Sequence, residues 1–497
     1  MISLKRHSKS EKEVAHCLVS NKKNVAANKR QTIEQHRKTK SEAKMTDKLT
    51  TAELLRMDID YLIHPGCFIG QNLGVVIKKG HGVFLEDTEG KEYIDGQSQL
   101  TCVNLGYGQK EIHNAVAEQL GKLEYSTLFF GFCTEESIKC AKKLTGLTPE
   151  GLNHVMFTSG GSESTDTAIR IARQYWYNQG VEKYKVISLY NSYHGVTYGS
   201  LATTGLGKGF FRSGVGPLAH GFMQIPSYYC YRCAFDKEYP GCGIQCAKFL
   251  AEIIEQEGAG SVAAFIAEPV HGTAGMIVPP PEYWPMVRKI CTDHDVLLIA
   301  DEVMTGFGRT GKLFAVEHWD VKPDIMTMAK GLTTSYIPFG AIAVSDAVTE
   351  ALQGAMVFGF TYSGHPAGCA AAMKSMDIYI RDKIVENAAE VGKYALERLN
   401  AEFMPLPCID AVGGLGLMIG MEIVADKKTR ATFPIAAGVP GKVQTQARQN
   451  GLLLRTTMAF TGPGDRICFT PPLTITRDEA DKALDILLPI VSAIKPV

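Results

Sequence analysis

No run of about eighteen consecutive apolar residues occurs in this sequence, which excludes a membrane-spanning helix. Net charge is missing too. The 52 basic residues balance 52 acidic ones, so no overall field draws in nucleic acid or an anionic membrane. The thirteen cysteines do not form the dense framework of a small secreted domain. They are scattered through apparent helices and strands, which reads as reduced thiols in the cytoplasm. What remains is ordinary globular composition, 45% hydrophobic over 497 residues, enough for two domains acting on a small substrate.

Residues 1–44 stand apart, with twelve basic residues against four acidic and few large apolar side chains. Such a segment buries too little to order itself. Its lysines and glutamates do not suit an organelle-targeting leader, and the preferred reading is a non-functional extension ahead of a start at Met45.

The chain is organised around Val296 to Leu332. Val296-Leu297-Leu298-Ile299-Ala300 is a short apolar run, the mark of a strand buried on both faces of a parallel sheet, and it ends in Asp301. Ile325-Met326-Thr327-Met328-Ala329 repeats the pattern and ends in Lys330. A buried carboxylate needs a cation or several donors. Carboxyl ends of such strands are also where ligands sit. An acid and an amine delivered to one edge suit pyridoxal phosphate, whose ring nitrogen needs a carboxylate and whose aldehyde needs a partly desolvated lysine. The competing reading from these two residues alone is a buried ion pair.

Other strand ends add polar groups. His154-Val155-Met156-Phe157 runs into Thr158-Ser159-Gly160-Gly161-Ser162-Glu163 and then a helical pattern. Glycines and hydroxyls at a helix N-terminus form an anion site, although a plain cap has the same look. Val186 to Leu189 leads to Tyr193-His194-Gly195, where an aromatic ring can stack on a flat heterocycle. Val262 to Ala267 leads to Glu268-Pro269-Val270-His271. Strands alternating with helices indicate an α/β fold with a mostly parallel central sheet in a large domain. A meander over residues 75–96 and an α+β pattern after residue 350 form a smaller domain. The expected division is 45–100 and 350–497 for the small domain and 101–349 for the large one.

These motifs, in order, resemble the class III, or ω-amino-acid, aminotransferases of the fold-type I pyridoxal phosphate enzymes. Ser159 to Glu163, Tyr193-His194-Gly195, Glu268-Pro269, Ala300-Asp301-Glu302-Val303, Gly306 to Gly311, Met328-Ala329-Lys330-Gly331 and Phe360 to Pro366 carry the resemblance, which spans about His64 to Ile475. It implies that Lys330 holds the cofactor aldehyde and Asp301 bonds the pyridine nitrogen. It further implies that Gly161 and Ser162 bind phosphate, that Tyr193 stacks on the ring beside His194, and that Val303 covers the other face. Phe360 and Thr361 match the segment that reaches the phosphate from a neighbouring subunit, so a homodimer or dimer-based tetramer with shared sites is expected.

The resemblance also places Arg455 where pyruvate-using relatives keep an arginine for the keto acid carboxylate, a task that suits a planar two-pronged donor. Thr101 stands where many amine:pyruvate members have tryptophan, favouring a small polar donor such as β-alanine or taurine. His271 stands where several relatives place glutamine against the ring hydroxyl. A lyase or a racemase or aminomutase on the same scaffold is the alternative to a transaminase. No catalytic metal is expected. Cys230, Cys233, Cys242 and Cys246 nevertheless have C-x-x-C and C-x-x-x-C spacing compatible with a structural thiolate site. The preferred reading is free thiols on a loop, with Cys242 and Cys246 sharing a face at a helix start.

Overall fold

The computed structural model describes residues 49–69, 74–458 and 462–495, without the side chains of 208–210. The basic stretch 1–44 lies outside the described residues. The chain divides into two compact units after Val76. In the first, the helix Thr51–Tyr61 starts at a capping box in which the Thr50 hydroxyl accepts from the Glu53 amide at 3.3 Å and the Thr50 amide donates to Glu53 Oε2 at 2.8 Å.

The second unit begins with the meander read from the sequence: β1 (Ile77–His81), β2 (Phe84–Asp87) and β3 (Glu92–Asp95), paired antiparallel. The central sheet follows, built from β4 (His154–Thr158), β5 (Lys185–Leu189), β6 (Phe222–Ile225), β7 (Val262–Ala267), β8 (Leu297–Asp301), β9 (Ile325–Met328) and β10 (Gly340–Val344). Its spatial order is β4-β10-β9-β8-β7-β5-β6. Every residue of β7, β8 and β9 is buried, as the uninterrupted apolar runs require of strands covered on both faces. The helix Gly161–Asn178 packs on one face, where the Trp176 indole donates to Ala263 O at 2.9 Å. Only β10 runs against its neighbours, antiparallel to both β4 and β9. The reason is local: a parallel crossover takes a dozen or more residues, and only residues 329–339 separate β9 from β10.

The remaining strands are β11 (Ile409–Leu415), β12 (Met418–Ile423), β13 (Leu452–Leu453), β14 (Arg455–Thr457) and β15 (Asp465–Phe469). Four of them make an antiparallel sheet in the order β11-β12-β15-β14, while β13 crosses to pair parallel with β3. Arg309 ties these parts together. It is fully buried; its Nη1 donates to Leu417 O at 3.1 Å and Pro471 O at 2.6 Å, and its Nη2 donates to Ser98 Oγ at 3.1 Å and Asn104 Oδ1 at 2.9 Å. Burial lowers this guanidinium to about 10, and four acceptors are what hold a charge in such a place. No helix among the described residues is long and apolar enough to cross a membrane.

Candidate active site

The pairing of β8 with β9 sets the centre. Asp301 closes β8 opposite Thr327, and Lys330 follows the end of β9 by two residues. The Asp301 carboxylate is buried and well supplied: Oδ1 accepts from the Thr327 hydroxyl at 3.0 Å and the Val303 amide at 3.1 Å, and Oδ2 lies 2.6 Å from His194 Nδ1. A carboxylate has about four lone-pair positions, so one is left for a further donor. The Lys330 amine is pushed below its ordinary value, chiefly by burial, while Cys102, Asp301 and Glu268 oppose the shift and Arg455 adds to it. A less basic amine is more often neutral, the form that attacks carbonyl carbon or accepts a proton.

These groups face a cavity of about 160 Å³ that Gly161, Ser162, Tyr193, His194, Val303 and Lys330 help to line. At one end the helix Gly161–Asn178 begins without a side-chain cap. The Ser162 hydroxyl oxygen accepts from the Val196 amide at 3.2 Å, leaving its proton to donate. Gly161 is needed here because a Cβ would come within 2.8 Å of Val303 Cγ1; at Gly195, with φ of +130°, it would meet Ser162 Oγ and Ser200 Oγ at 2.5 Å. Backbone thus approaches the cavity closely and presents amides to it. At the other end Glu268 orders the wall, accepting from the Tyr193 amide and the Gly272 amide, each at 2.9 Å.

Seven of the residues singled out from the sequence therefore converge: Lys330, Asp301, Gly161, Ser162, Tyr193, His194 and Val303. Arg455 reaches the rim, its Nη2 donating at 3.0 Å to the carbonyl of Thr273, a lining residue. Thr101 is not in the lining; it is buried with its hydroxyl 3.4 Å from Thr470 Oγ1. Phe360 and Thr361 are also outside it, the Phe360 amide bonding Ser363 Oγ at 3.1 Å and Thr361 O accepting from the Tyr125 hydroxyl at 2.5 Å. His271 stands behind the wall, stacked on Tyr228 with centroids 4.3 Å apart, its Nδ1 3.4 Å from Glu268 Oε1 and its buried Nε2 without a partner. Thr273, Met304 and Thr327 were not singled out, and Glu268 entered only as part of a motif, without a role in the site. Thr327 has a signal, being a polar residue inside the apolar run of β9; Glu268 has one as a carboxylate at the end of a wholly apolar strand.

The neighbouring Glu302 carries no ligand-facing role but sets a pH dependence. Burial raises its carboxyl to about 7, partly countered by bonds from Thr305 and from the Val316 amide at 2.8 Å. Between about 4.5 and about 7 the unfolded chain has lost this proton and the folded chain keeps it. Stability contributed by the neutral carboxyl is therefore lost as pH rises through that window, by up to about 3 kcal/mol. Glu302→Gln should flatten the dependence of the unfolding midpoint on pH between 5 and 7; an unchanged slope would place the titrating group elsewhere.

The seven-stranded sheet, with acid and lysine at neighbouring strand ends, is that of a fold-type I pyridoxal phosphate enzyme. Comparison with known proteins narrows the class. The family profile of aminotransferase class-III matches residues 69–491. The chain is 38% identical over 413 residues to the putrescine–pyruvate aminotransferase of Pseudomonas aeruginosa, covering 82% of this chain and 88% of that one. It is 38% identical over 430 residues to the diaminobutyrate–2-oxoglutarate transaminase of Halomonas elongata, covering 83% and 89%. A solved (S)-enantioselective omega-transaminase from Thermomicrobium roseum superposes with a TM-score of 0.85 at 38% identity, covering 90% of this chain and 99% of that one. The chain belongs to the class III aminotransferases, enzymes that depend on pyridoxal 5'-phosphate. The residues present fit that group: an open carboxylate position, an uncapped helix start beside a hydroxyl, an aromatic ring and a partly buried amine.

Proposed function

We propose that this aminotransferase moves an amino group from a small ω-amino acid or amine, β-alanine-like or taurine-like, to pyruvate. Arg455 carries the reading. It brings a two-pronged cation to the rim of a small cavity, bonded to Thr273 O and close enough to Tyr193 and Lys330 to influence their protonation. A carboxylate seated on it places the attached carbon towards the amine. The pyruvate-using relative with 38% identity supports that acceptor; the 2-oxoglutarate-using one makes acceptor choice the point to test.

When bound, pyridoxal phosphate supplies an aldehyde for the donor amine and a protonated ring that takes up the electron pair left by the departing Cα proton. In this reading Asp301, which already accepts from Thr327 and Val303 and lies against His194, would be the carboxylate offered to the ring nitrogen. Gly161 and Ser162 would hold the phosphate and Tyr193 and Val303 the ring, with His194 Nδ1 positioning Asp301 at 2.6 Å. Lys330 accepts the proton from the donor carbon as a neutral amine and returns it as the acid.

A donor panel with pyruvate and with 2-oxoglutarate tests the proposal. The expected result is alanine formed one for one with the aldehyde product and much less glutamate; product without any keto acid would favour elimination. Arg455→Ala should raise KM for pyruvate roughly tenfold or more, and leave that for an uncharged amine nearly unchanged. Equal effects on both substrates would make the arginine structural.

The partner expected for this site is a second copy of the chain. Phe130, Phe132, Met356, Phe358 and Tyr362 are exposed large apolar side chains, the kind of surface that marks a contact with another chain. Met356, Phe358 and Tyr362 lie beside Phe360 and Thr361 in the chain, and Phe132 lines a pocket with Gly359 and Ser363; Phe360 and Thr361 do not line the cavity of their own chain. A monomer by sedimentation with full activity would remove this part of the reading. The scattered cysteine pattern fits a reducing, cytoplasmic location.

A further inference from the structure

Among the described residues, no three His, Cys, Asp or Glu side chains converge in a way that could hold a metal ion. Cys230, Cys233, Cys242 and Cys246 are free thiols, and the helix expected to carry Cys242 and Cys246 on one face starts only at Gln245.

Glu422 on β12 stands directly opposite Arg466 on β15. Both are buried, Glu422 completely; Arg466 Nη1 bonds Glu422 Oε1 and also donates to the Tyr229 hydroxyl at 3.3 Å. The pair is incompletely served. Glu422 Oε2 has no hydrogen-bond partner, and a second cation, Arg232 Nη2, stops 3.9 Å away from it. A buried pair with one oxygen left over gains little stability over apolar side chains of similar size. Its effect lies in what the arginine holds: Arg466 Nε donates to Gly275 O at 2.6 Å.

Gly275 belongs to a tight turn. Its amide and that of Met276 both donate to Gly272 O, at 2.9 and 3.3 Å, and His271 and Ile277 exchange backbone bonds at its base. Thr273 in this turn lines the cavity, and its carbonyl takes the bond from Arg455 Nη2 at 3.0 Å. Arg455 lies on β14, paired with Cys468 of the strand that carries Arg466. Guanidiniums from neighbouring strands therefore grip two carbonyls of one turn. Close approach is built in: a Cβ on Gly420 would come within 2.2 Å of Gly275 O, and one on Gly275 itself within 2.4 Å of Arg466 Cδ. The two grips differ in kind. Arg466 is tied down by a carboxylate, whereas Arg455 holds a neutral carbonyl and can give it up for a charged ligand, the stronger acceptor.

We propose that Arg466, fixed by Glu422, is a positioning residue for the keto acid: it keeps the turn from Gly272 to Met276, and the Thr273 wall with it, in place while Arg455 exchanges Thr273 O for the substrate carboxylate. The inference rests on the role of Arg455 proposed above. Without the second grip the turn is free to move when Arg455 lets go, and the cost of ordering it falls on carboxylate binding.

Replacing the pair by apolar side chains, Glu422→Leu with Arg466→Met, separates positioning from stability in the holoenzyme. Cofactor content and unfolding midpoint should stay at or above those of the wild type. KM for pyruvate should rise roughly fivefold, and KM for an amine donor without a carboxylate should stay within about twofold. Arg466→Lys, which keeps a charge beside Glu422 but lacks the Nε donor, should give the same split with the fold undisturbed. In an Arg455→Ala background the apolar pair should leave KM for pyruvate within about twofold of Arg455→Ala alone, because both arginines act through one turn. Equal rises in both KM values, or a lower midpoint and cofactor content without a split, would make the pair structural and overturn the inference. Unchanged KM values in the pair variant, with Arg455→Ala still separating the two substrates, would overturn it and leave the role of Arg455 intact; no separation by Arg455→Ala would bring down both.

Discussion

Replacing Lys330 by alanine should cut multiple-turnover transamination by roughly a thousandfold or more, since on the proposed reading the same amine serves as covalent anchor and as proton carrier. The position is specific. Lys330 is the amine in the cavity lining, two residues beyond β9 and beside the strand that ends in Asp301. Its backbone lies in the left-handed region at φ of 42°, which alanine can keep at no greater strain than lysine, so the variant should fold. Borohydride treatment of the wild-type holoenzyme should fix cofactor to the peptide containing Lys330, and the variant should retain none after denaturation. Cofactor fixed to another lysine of the variant, with turnover preserved, would sink the assignment.

Asp301→Asn should lower kcat roughly a hundredfold, equivalent to about 3 kcal/mol of lost transition-state stabilisation. The carboxamide can still accept at Oδ1 from Thr327 and Val303. It can also donate to His194 Nδ1 if that ring changes tautomer, so the structure should survive. On the proposed reading, what is lost is the negative charge that would favour a protonated ring nitrogen. Cofactor content and unfolding midpoint near the wild-type values, together with the fall in kcat, are the expected pattern. Turnover within a few-fold of wild type would mean that the carboxylate serves the His194 contact alone.

The parts of this molecule that follow from local pattern were legible. Apolar runs ending in a polar group mark β7, β8 and β9, and the ordered motifs around them carry the family resemblance. The direction of β10 required counting the residues that precede it. Thr101 shows what pattern cannot carry. Ser98, Gln99 and Thr101 all have positive φ, and this contorted turn sends the Thr101 hydroxyl towards Thr470 while the adjacent Cys102 influences Lys330. Left-handed backbone at non-glycine residues is set by surroundings rather than by the residues themselves. The position of Glu268 is legible at the end of its apolar strand but its task is not, because its partner amide at Tyr193 lies 75 positions away. The expected pairing of Cys242 and Cys246 on one helix face failed by a shift of the helix start, the least legible feature of any helix.

Arg309 also dictates an order of events during synthesis. Two of its four acceptors, Leu417 O and Pro471 O, do not exist when the arginine itself leaves the ribosome. Until then the guanidinium is better kept in water, because burying it with half its partners missing is costly. The segment from Ser98 to Asn104, made some two hundred residues earlier, must wait as well, and so must β3, whose neighbour β13 comes from residues 452–453. The nascent chain therefore carries an unfinished edge strand through most of translation, an invitation to mispairing that chaperones would have to cover. Loss of even the last few dozen residues would take away Pro471 O and leave the Arg309 charge buried with a partner missing, while the acid and the lysine stay on their strands.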